Sequence, residues 1–213
     1  MLDALMVKPG SAAKLDERDP RDTLGLPGKE EAAEEREALT AELAALQERL
    51  YAEGKRSVLL VLQGLDASGK DGTIKHVFAG VNPQGCRVSS FKAPTPVELA
   101  HDFLWRVHAQ CPERGMIGIF NRSHYEDIVT VRVLGLVPAE VWRPRTKRVV
   151  EFERLLADEG TTVLKCFLHV SREEERERFA ERLPTRRRRG STTRRTWRLA
   201  SASTTTWRPT RRR

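Results

Sequence analysis

SVLLVLQGLDASGKDGT, residues 57–73, opens with a short apolar run, Val58 to Leu62, of the kind that forms a strand buried in a parallel sheet. The run ends in GLDASGK, the G-x-x-x-x-G-K pattern of a phosphate-binding loop, and KDGTIKHVFAGV then has a helical pattern. Strand, glycine loop and helix in that order are the context the motif requires. Gly64 and Gly69 let the backbone turn with its N–H groups facing inward. The helix start adds partial positive charge, and Lys70 adds a full one that reaches terminal phosphates. Gly64, Ala67, Ser68, Gly69, Lys70, Asp71, Gly72 and Thr73 are therefore the candidate phosphate-binding set. Asp71 stands where serine or threonine usually helps to hold magnesium. Asp66, an unusual carboxylate inside the loop, is expected to replace it, because Mg²⁺ takes oxygen ligands and shares them with phosphates.

Strand and helix patterns alternate on either side of this stretch. KEEAAEEREALTAELAALQERLYAE (29–53) predicts a helix ending at Gly54. Leu39, Leu43, Leu46 and Leu50 form a stripe on it, suited either to packing on the domain or to an oligomer seam. CRVSSF (86–91), GMIGIF (115–120) and TTVLKCFLHV (161–170) predict three further strands. PVELAHDFLWRVHAQ predicts a helix opened by Pro96, with Leu99, Phe103, Leu104 and Val107 on its apolar face. A helix over 143–159 should bury Val149, Val150, Phe152, Leu155 and Leu156, and a last one follows Ser171 as N-cap. The economical fold is α/β: a parallel sheet with helices on both faces, ligands lying at the strands' carboxyl ends. The loops 63–73, 92–96 and 121–127 should meet there.

Composition bounds the alternatives. The 213 residues suffice for one α/β domain, expected over 29–183, preceded by an extended arm over 1–28 that holds Pro9, Pro20 and Pro27. No apolar run approaches the ~20 residues of a membrane span, and the first residues lack a secretory pattern. Cys86, Cys111 and Cys166 follow no metal or redox spacing, which suits thiols in a reducing cytoplasm. The net charge of +8 belongs to the tail: Pro184 to Arg213 holds eleven arginines and no Asp, Glu or Lys. Without them 27 basic residues stand against 30 acidic ones, so the first 183 residues carry −3.

The second informative stretch is GMIGIFNRSHYED (115–127). Its strand ends in Asn121 and Arg122, and an arginine there points its planar fork at phosphoryl oxygens. Glu126 and Asp127 bring two more carboxylates near.

GLDASGKDGTIKH, FKAPTPVELAHDFLWRVH and ERGMIGIFNRSHYED together resemble, in order and spacing, the three signature segments of the polyphosphate kinase 2 family. The likeness runs from about Lys14 to Leu183. It implies a nucleotide-kinase-like three-layer α/β/α fold and phosphoryl transfer between inorganic polyphosphate and nucleoside mono- or diphosphates, AMP, ADP and ATP among them, with Mg²⁺. It further implies that Asp66 binds the metal, with Asp127 a second candidate, that Lys70 holds the transferring phosphates, and that Arg122 stabilises charge on the transferred group. Some relatives carry an aspartate where Asn121 stands, and HYED with Glu126 looks like the branch that accepts monophosphates. A polyanionic donor needs a basic track, for which Lys92, Arg122, Arg178 and Arg182 are candidates. The family suggests homo-oligomers.

Beyond Leu183 the resemblance stops. Residues 184–213 are rich in Arg, Thr and Ser, poor in aliphatics, and unable to build a core. A basic tail binding polyphosphate or nucleic acid is one reading, and a non-catalytic remnant another. The favoured one is a shifted reading frame. Codons exist for STTTWRPTRR (203–212) that spell the family's D-D-Y-M-A-A-Y-E run one frame over. In that case the last strand and part of the lid are missing, and a scaffold with weak turnover is expected.

Overall fold

A computed structural model describes residues 2–26 and 28–182. The elements are α1 (Leu2–Leu5), α2 (Lys29–Glu53), β1 (Ser57–Gly64), α3 (Lys70–Val77), β2 (Cys86–Ser90), α4 (Pro96–Leu99), α5 (Trp105–His108), β3 (Ile117–Asn121), α6 (Glu126–Val133), α7 (Ala139–Asp158), β4 (Thr161–Leu168) and α8 (Arg172–Arg182). The strands form one parallel sheet in the order β2-β3-β1-β4. Strand alternation sends successive side chains to opposite faces. Leu59, Val61 and Phe120 meet Val107 of α5 and Phe152 and Leu156 of α7 on one side. Leu62, Ile117 and Ile119 meet Leu50 of α2 and Ile74 and Phe78 around α3 on the other. The three layers are those the alternation of elements implies.

Register positions the site. Leu62 of β1 pairs with Asn121, the last residue of β3, so β1 runs only two residues further and the loops that follow the two strands emerge side by side. The chain leaves β1 for β2 by passing over β3, which makes the gap above β1 and β3 the switch point where α/β sheets take ligands.

Four expectations need correction. The helix opened by Pro96 is interrupted over 100–104. Asp102 Oδ1 accepts from the Leu104 N–H and the His101 ring bonds Val97 O, so side chains compete for the backbone groups a continuous helix would use. Val107 is buried as expected, while Leu99 is 69 % exposed. On α7 only Val149, Phe152 and Leu156 of the expected set are buried; Val150 and Leu155 face outward. On α2 the leucine stripe packs only in part: Leu50 joins the core and Leu43 is half-buried, whereas Leu39 and Leu46 are exposed, and the fully buried residue is Gln47, which abuts Gly85. A 25-residue helix is about 37 Å long, more than this sheet can cover. Finally, the arm is not simply extended. The Arg18 guanidinium donates to Ala4 O and Ala13 O, folding the arm on itself, and Arg18 O lies 3.2 Å from His169 Nε2 beyond β4.

Among the described residues no helix is long and apolar enough to cross a membrane. The three cysteines are free, and burial pushes the Cys111 thiol up to about 11. The side chain of Arg182 and the whole of 183–213, where the frame and tail readings apply, lie outside the described residues.

Candidate active site

The phosphate loop closes as its glycines demand. Gly69 takes a φ of 97°, a region L side chains avoid, and leads directly into α3. At Gly64 the constraint is space: a Cβ there would stand 2.9 Å from Leu168 O and 2.6 Å from Ser68 Oγ. We expect Gly64→Ala to lower stability by about 1–3 kcal/mol through overpacking, read as a fall in the melting midpoint, with the Lys70 carbonyl contact displaced.

Lys70 is buried and donates to Gly64 O and Leu65 O, both at 2.9 Å, and to Ser68 Oγ at 3.3 Å. Burial and then the nearby Arg122 charge hold its ammonium below the usual lysine range, against the pull of Asp66, Glu126 and Asp71. Its charge thus waits in a dry loop, satisfied by neutral carbonyls that phosphate oxygens can outcompete.

Arg122 leaves β3 with its N–H bonded to Leu62 O, then takes a φ of 63°, rare for a side-chain-bearing residue. That turn aims the guanidinium across the mouth, where it pairs with Asp66 Oδ1 and lies 3.7 Å from Glu126 Oε2. Asp66, Lys70 and Arg122 therefore surround one point. Asp66 Oδ2 is buried and has no hydrogen-bond partner among the described residues. A hard oxygen left unsatisfied beside a phosphate loop fits Mg²⁺, which binds through one or two carboxylates plus phosphates. No group of three or more candidate metal ligands occurs among the described residues.

Asn121 and Asp71 are joined, Nδ2 to Oδ1 at 2.6 Å, which ties the β3 loop to the start of α3. Asp127, the second metal candidate, is engaged by a cation. Its buried carboxylate pairs at 2.8 Å with Arg106, which also donates to Lys92 O, so in this state it fastens the start of the 92–94 loop. Thr73 bonds its hydroxyl to Gly69 O within α3, off the wall of the site. Arg178 reaches the loop from α8, NH1 to Ala67 O at 3.2 Å, while Glu174 holds its Nε. Lys92 lies exposed on the wall.

Asp66, Lys70, Asp71, Lys92, Asn121, Arg122, Glu126 and Asp127 border a cleft of about 950 Å³. Its lining includes residues 66–72 and 121–122, parts of α4 and the 100–106 segment, parts of the 130–137 stretch, and Arg145. Sequence reading missed Arg106 and Arg145, charges set inside helical patterns with nothing local to mark them as buried or tethered. It also missed Glu153, which is 9 % exposed and joins His124, Tyr125 and Lys165 beneath the Arg122 loop.

The polyphosphate kinase 2 family model matches residues 27–202, starting later than Lys14 and reaching past Leu183. The AMP/ADP-polyphosphate phosphotransferase of Meiothermus ruber is 57 % identical over 178 residues, 83 % of this chain and 67 % of that protein. The ADP-polyphosphate phosphotransferase of Rhodopseudomonas palustris is 46 % identical over 153 residues, 66 % of this chain and 53 % of that one. The chain thus spans between half and two thirds of the length of these relatives. The crystal structure of polyphosphate kinase 2 from Arthrobacter aurescens TC1 superposes with a TM-score of 0.84 at 36 % identity, over 95 % of this chain and 75 % of that one. With the phosphate loop, the strand-end arginine and the three-layer sheet in register, these matches show that the chain belongs to the polyphosphate kinase 2 family.

Proposed function

We propose that this chain transfers a phosphoryl group between inorganic polyphosphate and an adenine nucleotide, AMP or ADP, in the cytoplasm and with Mg²⁺. The observation that carries the reading is the convergence of Asp66, Lys70 and Arg122 on one mouth of the cleft. The names of the two relatives point to the same substrates. Phosphoryl transfer asks a protein for alignment and for neutralisation of spread negative charge, not for covalent chemistry. Lys70 would exchange its carbonyl partners for phosphate oxygens. Arg122 would place its fork on the group in flight, swinging from Asp66. Asp66, released from that pair, would hold Mg²⁺, which supplies charge neutralisation between donor and acceptor. The acceptor is already an anion and needs placing more than deprotonation, so no general base is assigned. Arg178 would cover the loop and exclude water.

The test is a transfer assay with AMP or ADP as acceptor, and polyphosphate or ATP as sole donor, on this chain and on a frame-restored version. Transfer from polyphosphate is expected in both, slower in the present chain. Transfer from ATP alone, or from neither donor in the restored chain, would overturn the proposal.

A further inference from the structure

Among the described residues, two side-chain hydrogen bonds join the phosphate loop and the start of α3, residues 66–73, to the turn after β3, residues 121–127. One runs from the Arg122 guanidinium to Asp66 Oδ1. The other runs from Asn121 Nδ2 to Asp71 Oδ1 at 2.6 Å. Gln63 and Leu62 also hold the turn, but they tie it to β1 and not to α3. In the transfer described above the first bond has to open, because Arg122 moves to the group in flight and Asp66 takes Mg²⁺. The second bond uses neither residue. It joins the residue that follows Lys70 to the residue that precedes Arg122.

That placement answers a physical difficulty. Lys70 and Arg122 carry like charges and must serve one phosphoryl group. Their repulsion is already felt at rest, where the Arg122 charge works against protonation of Lys70, second only to burial. Asp66 offsets it while paired with Arg122, and that offset goes when the pair opens. Segments that carry two cations then separate unless something else fastens them. An amide facing a carboxylate is suited to the task. It makes a charge-assisted hydrogen bond without adding a charge of its own. A carboxylate at position 121 would repel Asp71, and a lysine would add a third cation.

Resting on the phosphotransfer reading, we propose that Asn121 and Asp71 are positioning residues, whose hydrogen bond keeps Arg122 and Lys70 at their working separation after the Arg122–Asp66 pair has opened. Loss of the bond leaves the phosphate loop and the arginine intact but lets them drift relative to each other. Such misplacement lowers the rate of the bound complex more than it weakens binding. Asp71 is exposed and Asn121 half-buried, so the bond contributes little to overall stability.

Steady-state transfer from polyphosphate to AMP by the full 213-residue chain, at fixed saturating Mg²⁺, tests the assignment. Asn121→Ala and Asp71→Ala should each lower kcat about 10-fold, with KM for AMP and for polyphosphate within about 3-fold of wild type. The double alanine variant should be about 10-fold slow as well, because both changes remove one bond, whereas independent effects multiply to about 100-fold. The reversed pair, Asp71→Asn with Asn121→Asp, again sets an amide against a carboxylate and should return kcat to within about 3-fold of wild type. Melting midpoints should shift by less than about 3 °C throughout, which separates positioning from a loss of fold. Multiplying losses, a loss that falls on KM, or a reversed pair as slow as the alanine variants overturns the proposal and leaves phosphotransfer standing. A wild-type chain that moves no phosphoryl group from polyphosphate removes the phosphotransfer reading and this one with it.

Discussion

Replacing Arg122 with alanine is expected to slow transfer from polyphosphate to AMP about 10³-fold while changing AMP affinity by less than about 3-fold. In the resting geometry this side chain is paired with Asp66 of the phosphate loop and lies near Glu126, beside Lys70 and the amides that receive the transferring phosphates. Its contribution is therefore to the state in which negative charge spreads over the moving group, and kcat, not KM for AMP, should register its loss. Arg122→Lys keeps a positive charge but not the planar fork, and about 10² of the loss should persist. Folding is not the source of the effect, because alanine at a φ of 63° is no worse placed than arginine. Single-turnover transfer with saturating AMP and Mg²⁺ is the measurement, and a rate within 10-fold of wild type would remove Arg122 from the chemistry.

How far the site was legible depends on how local each signal is. The strand, loop and helix of residues 57–77 were readable because an apolar run, two glycines at fixed spacing and a lysine report on one short segment. That Arg122 would reach the same place followed from parallel alternation, which puts every loop after a strand at one end of the sheet; the Leu62–Asn121 register made it so. The break after α4 was not legible, since it depends on Asp102 and His101 choosing backbone partners over solvent. Periodicity on α7 marked five apolar positions, but the sheet covers a narrower arc than that pattern, and Val150 and Leu155 remain outside it. Buried charges were the least readable. The ion pair of Asp127 was hidden because its partner Arg106 lies 21 positions earlier in the chain and nothing near either residue announces it. Arg145 and Glu153 share that difficulty, since their roles rest on groups other segments bring to them.

Glu153→Ala is expected to destabilise the protein by about 3 kcal/mol at neutral pH, since breaking a buried charged network leaves its other members unsatisfied. Glu153 on α7 accepts from His124 Nε2 at 3.2 Å, Tyr125 OH at 2.9 Å and Lys165 Nζ at 2.6 Å. His124 is fully buried and its Nδ1 has no partner among the described residues, so losing Glu153 orphans the second ring nitrogen too. Lys165 is about half exposed and can turn to water, which keeps the expected cost at the lower end of the range for buried pairs. Burial alone would raise the Glu153 pKa, but hydrogen bonds from His124, Lys165 and Tyr125 outweigh it and hold the group below the usual carboxylate range. A depressed folded value stabilises the protein above the unfolded pKa and loses that contribution as pH falls through the folded one. The gap in melting midpoint between wild type and Glu153→Ala should therefore be about 6–12 °C and level between about pH 6 and 9, then close as pH drops below about 4. Lys165 behaves in the opposite sense: Glu153 and Tyr125 raise its pKa against the effect of burial, so its share is present at neutral pH and fades only in strong alkali. The network lies under Ser123, whose hydroxyl accepts from Gln63 of β1 and from the Tyr125 N–H, so it steadies the turn that presents Arg122. Thermal melts across this pH range decide the matter, and a gap under about 2 °C at pH 7, or one that persists unchanged to pH 3, would show that Glu153 is not the anchor of that turn.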